Sequence, residues 1–153
     1  MPREGIVPGT IARKSIPRGE RERILQDVAV RLREFGELLF AYAFRSFVED
    51  RDAGDVDIAV SVDPGRIEGL DPLDLELALV DAVERLSGLP ADVVVLNDAP
   101  LGLRMSAIHG RLLFSRDEDR RLSFVERTAL DAMDTDYLRR QSLKDLLTAG
   151  ASR

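Results

Sequence analysis

Apolar residues recur at helical spacing near the start of the chain. Ile24, Leu25, Val28, Leu32 and Phe35, within residues 20–35, predict an amphipathic helix that Gly36 ends as its C′ residue. Residues 37–44, ELLFAYAF, are short, apolar and aromatic, and read as a buried strand. A turn or short helix over 46–51 separates them from DVDIAVSV, residues 55–62, which alternate. Val56, Ile58, Val60 and Val62 share one face, and Asp55, Asp57, Ala59 and Ser61 share the other, until Asp63-Pro64-Gly65 stops the strand. Asp71 then caps a helix with Pro72 at its first position; Leu75, Leu79, Val83 and Leu86 line its core face, and Gly88 closes it. ADVVVLN (91–97) is a third strand, residues 100–108 a short helix ended by Gly110, and RLLF (111–114) a fourth strand. From Asp117 to about Ala149 runs one long helix or two joined ones, with Leu122, Val125, Ala129, Met133, Leu138 and Leu146 on or near one face.

This order predicts an α+β (α/β) fold, a small mixed sheet with helices packed mainly on one face, the polar side of strand 55–62 arguing against helices on both. Residues 1–19 hold three Pro and three Gly and read as an N-terminal arm; residues 20–153 read as a single domain. The 153 residues suffice for one real core. Lys and Arg number 22 against 28 Asp and Glu, a formal net charge of −6. That balance, with no basic tract, weighs against a nucleic-acid binder, whose affinity comes mostly from phosphate neutralisation. It leaves room for a nucleotide whose phosphates a divalent cation neutralises. The absence of Cys excludes disulfides, zinc–thiolate sites and thiol catalysis. No apolar run approaches a membrane span, so the chain reads as soluble and cytoplasmic, with no membrane partner.

The candidate chemistry is carboxylate chemistry. Asp55 and Asp57, two apart on a strand, emerge on one face, and like charges that close repel unless a divalent cation sits between them. Asp92, at the start of the third strand, is placed to complete a two-metal site. Upstream, the strand running into Arg45-Ser46 and a helical turn forms a phosphate seat of free backbone N–H groups and a hydroxyl. A structural reading stands beside this one: Asp55 follows Gly54 as a turn residue, Asp57 is a solvated position on an edge strand, and Asp92 is a polar strand start. His109, the only His, reads as a helix C-terminal cap, and Arg104 as a residue that reaches a nucleotide.

Residues 41–60, AYAFRSFVEDRDAGDVDIAV, resemble the G-S…D-x-D signature of the DNA polymerase β-like nucleotidyltransferase superfamily. With the short length, ADVVVLNDAP as a third-carboxylate strand and LRMSAIHGRLLFSRDEDRR after it, the chain resembles the minimal nucleotidyltransferases, the MntA-type antitoxins, from about residue 21 to about residue 140. The resemblance implies that Asp55 and Asp57 bind two Mg²⁺ ions with ATP, and that Asp92 holds the second ion and helps to activate an attacking hydroxyl. It implies that Ser46, with Arg45 beside it, contacts the phosphates. Catalysis would then be an in-line displacement at the α-phosphate. It further implies a partner: such antitoxins transfer AMP to a Tyr of a HEPN-type toxin and silence an RNase. Two positions depart from the pattern. Arg45 stands where the family has Gly, and either crowds the triphosphate or lends it a cation; Asp50 replaces a second Gly. These departures support an alternative, a catalytically degenerate binding module that neutralises its partner by complex formation. A homodimer or hetero-complex is expected of a small domain with a polar sheet face.

Overall fold

The computed structural model describes residues 16–48 and 54–151. Helix α1 (Arg18–Arg33) leads into strand β1 (Leu38–Phe44) and a 3₁₀ turn, Arg45–Phe47. Strand β2 (Val56–Val62), helix α2 (Pro72–Ser87), strand β3 (Ala91–Val95), helix α3 (Leu101–Ile108), strand β4 (Arg111–Ser115) and helix α4 (Glu118–Ala151) follow. The strands form a mixed four-stranded sheet in the order β3-β2-β1-β4. β1 pairs antiparallel with both β2 and β4, while β2 and β3 run parallel, a pairing that needs a crossover such as α2 supplies. β2 therefore lies inside the sheet, and Asp57 does not sit on an edge.

The larger core lies where Leu25, Val28 and Leu32 of α1 and Leu79 and Val83 of α2 pack on Val56, Ile58, Val60 and Val62 of β2. The opposite sheet face carries a smaller cluster of Phe40, Tyr42, Phe44 and Ala59 with Leu96 and Ala107, against which Leu103 of α3 and Phe124 of α4 pack. A register irregularity between Leu38 and Phe40 sets Phe40, Tyr42 and Phe44 toward that second cluster. The polar side of β2 is thus covered too, and all seven of its residues are buried.

Local capping explains most boundaries. The Asp71 carboxylate accepts from Leu73 N–H at 3.0 Å with Pro72 behind it, and Gly88 takes a left-handed φ of 70° to end α2. α1 ends differently from expectation. Glu34 caps it in the α region and the chain leaves through turns at Phe35 and Leu38, so Gly36 is not a left-handed C′ residue. On α2 the buried stripe includes Ala82, whereas Leu86 in the last turn is exposed.

α4 is one continuous helix started by Asp117, whose carboxylate accepts from Arg120 N–H at 3.1 Å. Its inward face also differs from the apolar reading. Phe124, Val125 and the fully buried Thr128 face in, while Leu122, Ala129 and Met133 are exposed. Thr128 is inward because Arg104 of α3 donates to its hydroxyl at 3.4 Å and pairs with Asp131 at 3.0 Å, a polar seam that apolar periodicity does not register. Among the described residues no helix is long and apolar enough to cross a membrane.

Candidate functional site

Asp57 is the second residue of β2, and its register partner in parallel β3 is Asp92. In-register residues on neighbouring parallel strands point to the same side of the sheet, with strands about 4.8 Å apart. Asp55, two residues before Asp57, stands just ahead of the strand in an exposed bend after Gly54. Asp92 is exposed on the edge strand, whereas Asp57 is buried. Burial pushes the Asp57 carboxyl above its ordinary value; the Arg45 cation opposes that push, and the charges of Asp92 and Asp55 add to it. Both neighbouring carboxylates are therefore in electrostatic reach of Asp57.

The other side of Asp57 is set by β1. Phe44 is its antiparallel register partner, and Arg45 follows directly. Arg45 holds φ at 64°, and among the described residues it alone combines a side chain with positive φ. Its guanidinium lies over the Phe44 ring, 4.9 Å from the centroid, and reaches Asp57 Oδ1 from Nη1 at 3.8 Å. Gly110 decides how closely α3 and β4 approach this corner. A Cβ there would stand 2.2 Å from the carbonyl oxygen of Ala43 and 2.9 Å from Cβ of Phe44, so only glycine fits. That approach brings Met105, Ser106 and His109 beside Arg45 around a cavity of about 320 Å³. A larger cleft, about 690 Å³, opens at the far end of β2 around Ser61, Asn97, Arg104 and Phe124, and the acidic trio does not line it.

The remaining predicted residues divide. The Ser46 backbone lies in the 3₁₀ turn that follows β1, where a phosphate seat is expected, and Asp50 lies outside the described residues. His109 is the C-cap residue of α3, donating from Nδ1 to Met105 O at 2.8 Å. Arg104 does not reach toward the carboxylates. It donates to Ala99 O at 3.1 Å besides its contacts with Thr128 and Asp131, and so ties α3 to α4.

Two residues, Asn97 and Gly110, have tertiary roles that local sequence pattern does not register. Asn97 extends β2 by a side-chain ladder, accepting from Val62 N–H at 3.0 Å and donating to Val62 O at 2.9 Å. Gly110 reads locally as a helix stop, and its tertiary role has no local signal.

The donor set is that of a hard cation: carboxylate oxygens only, one buried and two open to solvent. Among the described residues no three acidic, His or Cys side chains form a ready-made metal cage. Carboxylate oxygens are the donors that Mg²⁺ takes, one or two at a time together with substrate phosphates.

Several solved structures share the fold. One is a chain from the structure of the tri-AMPylated Shewanella oneidensis HEPN toxin in complex with MNT antitoxin, at TM-score 0.60 and 20% identity, with 83% of this chain and 98% of that one covered. A second, from the toxin–antitoxin MntA–HepT, matches at TM-score 0.59 and 20% identity over 82% of this chain and 98% of that one. A third, from a toxin–antitoxin structure with AMP-PNP, matches at TM-score 0.56 and 19% identity over 86% and 99%. No curated protein sequence matches. The family model for polymerase beta nucleotidyltransferases matches residues 26–119, a span that takes in α1 from Gln26, all four strands and the three acidic positions. The chain therefore belongs to the polymerase β nucleotidyltransferase family.

Proposed function

We propose that this protein is a Mg²⁺-dependent nucleotidyltransferase that transfers AMP from ATP to a hydroxyl of a HEPN-type toxin, acting as the antitoxin of the pair. The observation that carries this reading is the register of Asp57 with Asp92, with Asp55 two residues upstream, just ahead of β2. Three neighbouring carboxylates, two on adjacent strands and one just ahead of β2, crowd negative charge around the buried Asp57 and gain most from a divalent cation. Asp55, Asp57 and Asp92 would hold two Mg²⁺ ions, which lower the pKa of an attacking hydroxyl and neutralise charge on the leaving pyrophosphate.

The chain's own residues supply the geometry. Asp57, fixed between Phe44 and Asp92 in the sheet, sets the position of the reacting phosphate. The backbone of the 3₁₀ turn at Ser46 offers N–H groups to the phosphates. Asp92, exposed on the edge strand, would accept the proton of the partner hydroxyl. The hydroxyl oxygen bonds to the α-phosphorus, the bond from that phosphorus to the bridging oxygen breaks, and pyrophosphate leaves with the electron pair. The likeness to structures of a tri-AMPylated HEPN toxin bound to MNT antitoxin, and of a toxin–antitoxin with AMP-PNP, supports the choice of partner and nucleotide.

A second reading, binding without catalysis, is favoured by one feature. Arg45 already pairs with Asp57 where the family carries glycine. Incubation with Mg²⁺, α-labelled ATP and a HEPN-type toxin separates the two. Label on the partner that is lost in Asp57→Asn supports transfer; a stable nucleotide-free complex with no label, the same for wild type and Asp57→Asn, supports binding alone.

A further inference from the structure

Arg45 combines three features that a solvent-facing arginine does not need. Its backbone sits at φ 64°, a region that bulky residues avoid and that persists only where the surroundings over-determine it. Its guanidinium is braced on the Phe44 ring at 4.9 Å. It then points at Asp57, the buried member of the acidic trio, from 3.8 Å. The two partners are unequally held. The Asp57 side chain is 12% exposed, whereas that of Arg45 is 48% exposed and borders the cavity formed with Met105, Ser106 and His109. The carboxylate is fixed by the sheet, and the cation is the part free to leave. Among the described residues the remaining charged neighbours that act on Asp57 are Asp92 and Asp55, both negative.

We propose that the Arg45 guanidinium is a resident counter-cation of the carboxylate cluster, which holds Asp57 in the metal-free protein, competes there with a divalent cation, and so raises the ion concentration at which the site loads. The inference rests on the reading of Asp55, Asp57 and Asp92 as cation ligands. A glycine at this position accepts the same backbone conformation without strain and leaves Asp57 without a cation. Arg45 is thus a positioning residue for the metal site, and loading requires its guanidinium to swing off Asp57 into the adjoining cavity.

The test is Mn²⁺ binding to the full chain in the absence of nucleotide, followed by the loss of the free-ion electron paramagnetic resonance signal and by calorimetry. Arg45→Gly removes charge, bulk and strain together, while Arg45→Gln keeps the bulk and removes the charge. Both variants are expected to bind Mn²⁺ about fivefold more tightly than wild type, the upper end for an ion pair with one half-exposed partner. Unchanged affinity in both variants, with wild type binding Mn²⁺, overturns the counter-cation role and leaves the carboxylate site standing. Tightening in Arg45→Gly alone overturns it in favour of steric crowding. Absence of Mn²⁺ binding in wild type, both variants and Asp57→Asn alike overturns the inference together with the metal-site reading beneath it.

Discussion

Asp57 of β2 and Asp92 of β3 are register partners across a parallel strand pair, and only Asp57 is buried. The buried carboxylate carries the cost of the cluster, since it is desolvated and has two acidic neighbours. Neutralising it should therefore separate stability from function. Asp57→Asn is expected to raise Tm by about 2–4 °C, the shift that about 1 kcal/mol gives in a chain of this size. AMP transfer to the partner is expected to fall beyond the roughly 100-fold that loss of an outer-sphere partner of a metal ligand costs. Thermal unfolding without metal and label transfer with Mg²⁺–ATP, on the same preparation, check the pair of effects. A Tm below wild type would mean that the Arg45 pair stabilises Asp57 more than burial and repulsion destabilise it.

Gly110 and Gly102 lie eight residues apart and make opposite predictions. Gly110→Ala puts a methyl 2.2 Å from the carbonyl oxygen of Ala43, a backbone atom that cannot step aside. It should destabilise by about 3 kcal/mol, the upper range for overpacking. A Cβ on Gly102, in the first turn of α3, meets nothing within 4 Å. Gly102→Ala should stabilise by about 0.5 kcal/mol through helix propensity alone. Urea midpoints for the two variants give both signs directly.

The legible parts of this chain are those whose cause is local. Asp71, Pro72 and Gly88 announce α2 because a cap is a contact between residues two to four apart. The nearness of Asp55 to Asp57 follows from their two-residue spacing, with Asp55 in the bend just ahead of β2. The pairing of Asp57 with Asp92 does not, because it forms only when α2 carries β3 back beside β2, and the register comes from the packed crossover. β2 similarly reads as half polar, and its polar side is covered only because α3 and the start of α4 close over the second sheet face. Thr128 defeats apolar periodicity because its inward position is satisfied by an arginine from another helix. Arg45 can be read as a departure from a glycine, but its pairing with Asp57 depends on the β1–β2 register.

Asn97 does the work of a strand residue with its side chain, meeting both polar groups of Val62. Asn97→Ala leaves that part-buried N–H and C=O without their partner and should cost about 1–2 kcal/mol. Asn97→Asp keeps the acceptor and loses the donor, setting a carboxylate against the Val62 carbonyl, so it should not rescue. Because Asn97 lies at the end of β2 away from Asp57, label transfer at a temperature where both proteins are folded should be unchanged. A loss of transfer in the folded variant would link the two ends of β2.

Glu118 and Arg121 provide the pH dependence. Arg121 donates from Nε to Glu118 Oε2 at 2.9 Å and from Nη1 to the Tyr42 hydroxyl at 2.9 Å, fastening the first turns of α4 to β1. Hydrogen bonding from Arg121, and after it from Ser115, lowers the Glu118 carboxyl from its ordinary 4.5 to about 2. A carboxyl whose folded value is depressed contributes stability that is fully present above its unfolded value and lost as pH falls through the folded one. The contribution should therefore be intact at neutral pH and disappear between about pH 4.5 and pH 2. Glu118→Gln should lower Tm at pH 7, meet the wild-type curve near pH 2, and give a flatter Tm–pH profile between. Because Glu118 lies at the solvent face of the pair, 1 M NaCl should shrink the pH 7 difference. Parallel profiles for wild type and variant across that window would show that the pair holds α4 in place without contributing to the acid sensitivity of the fold.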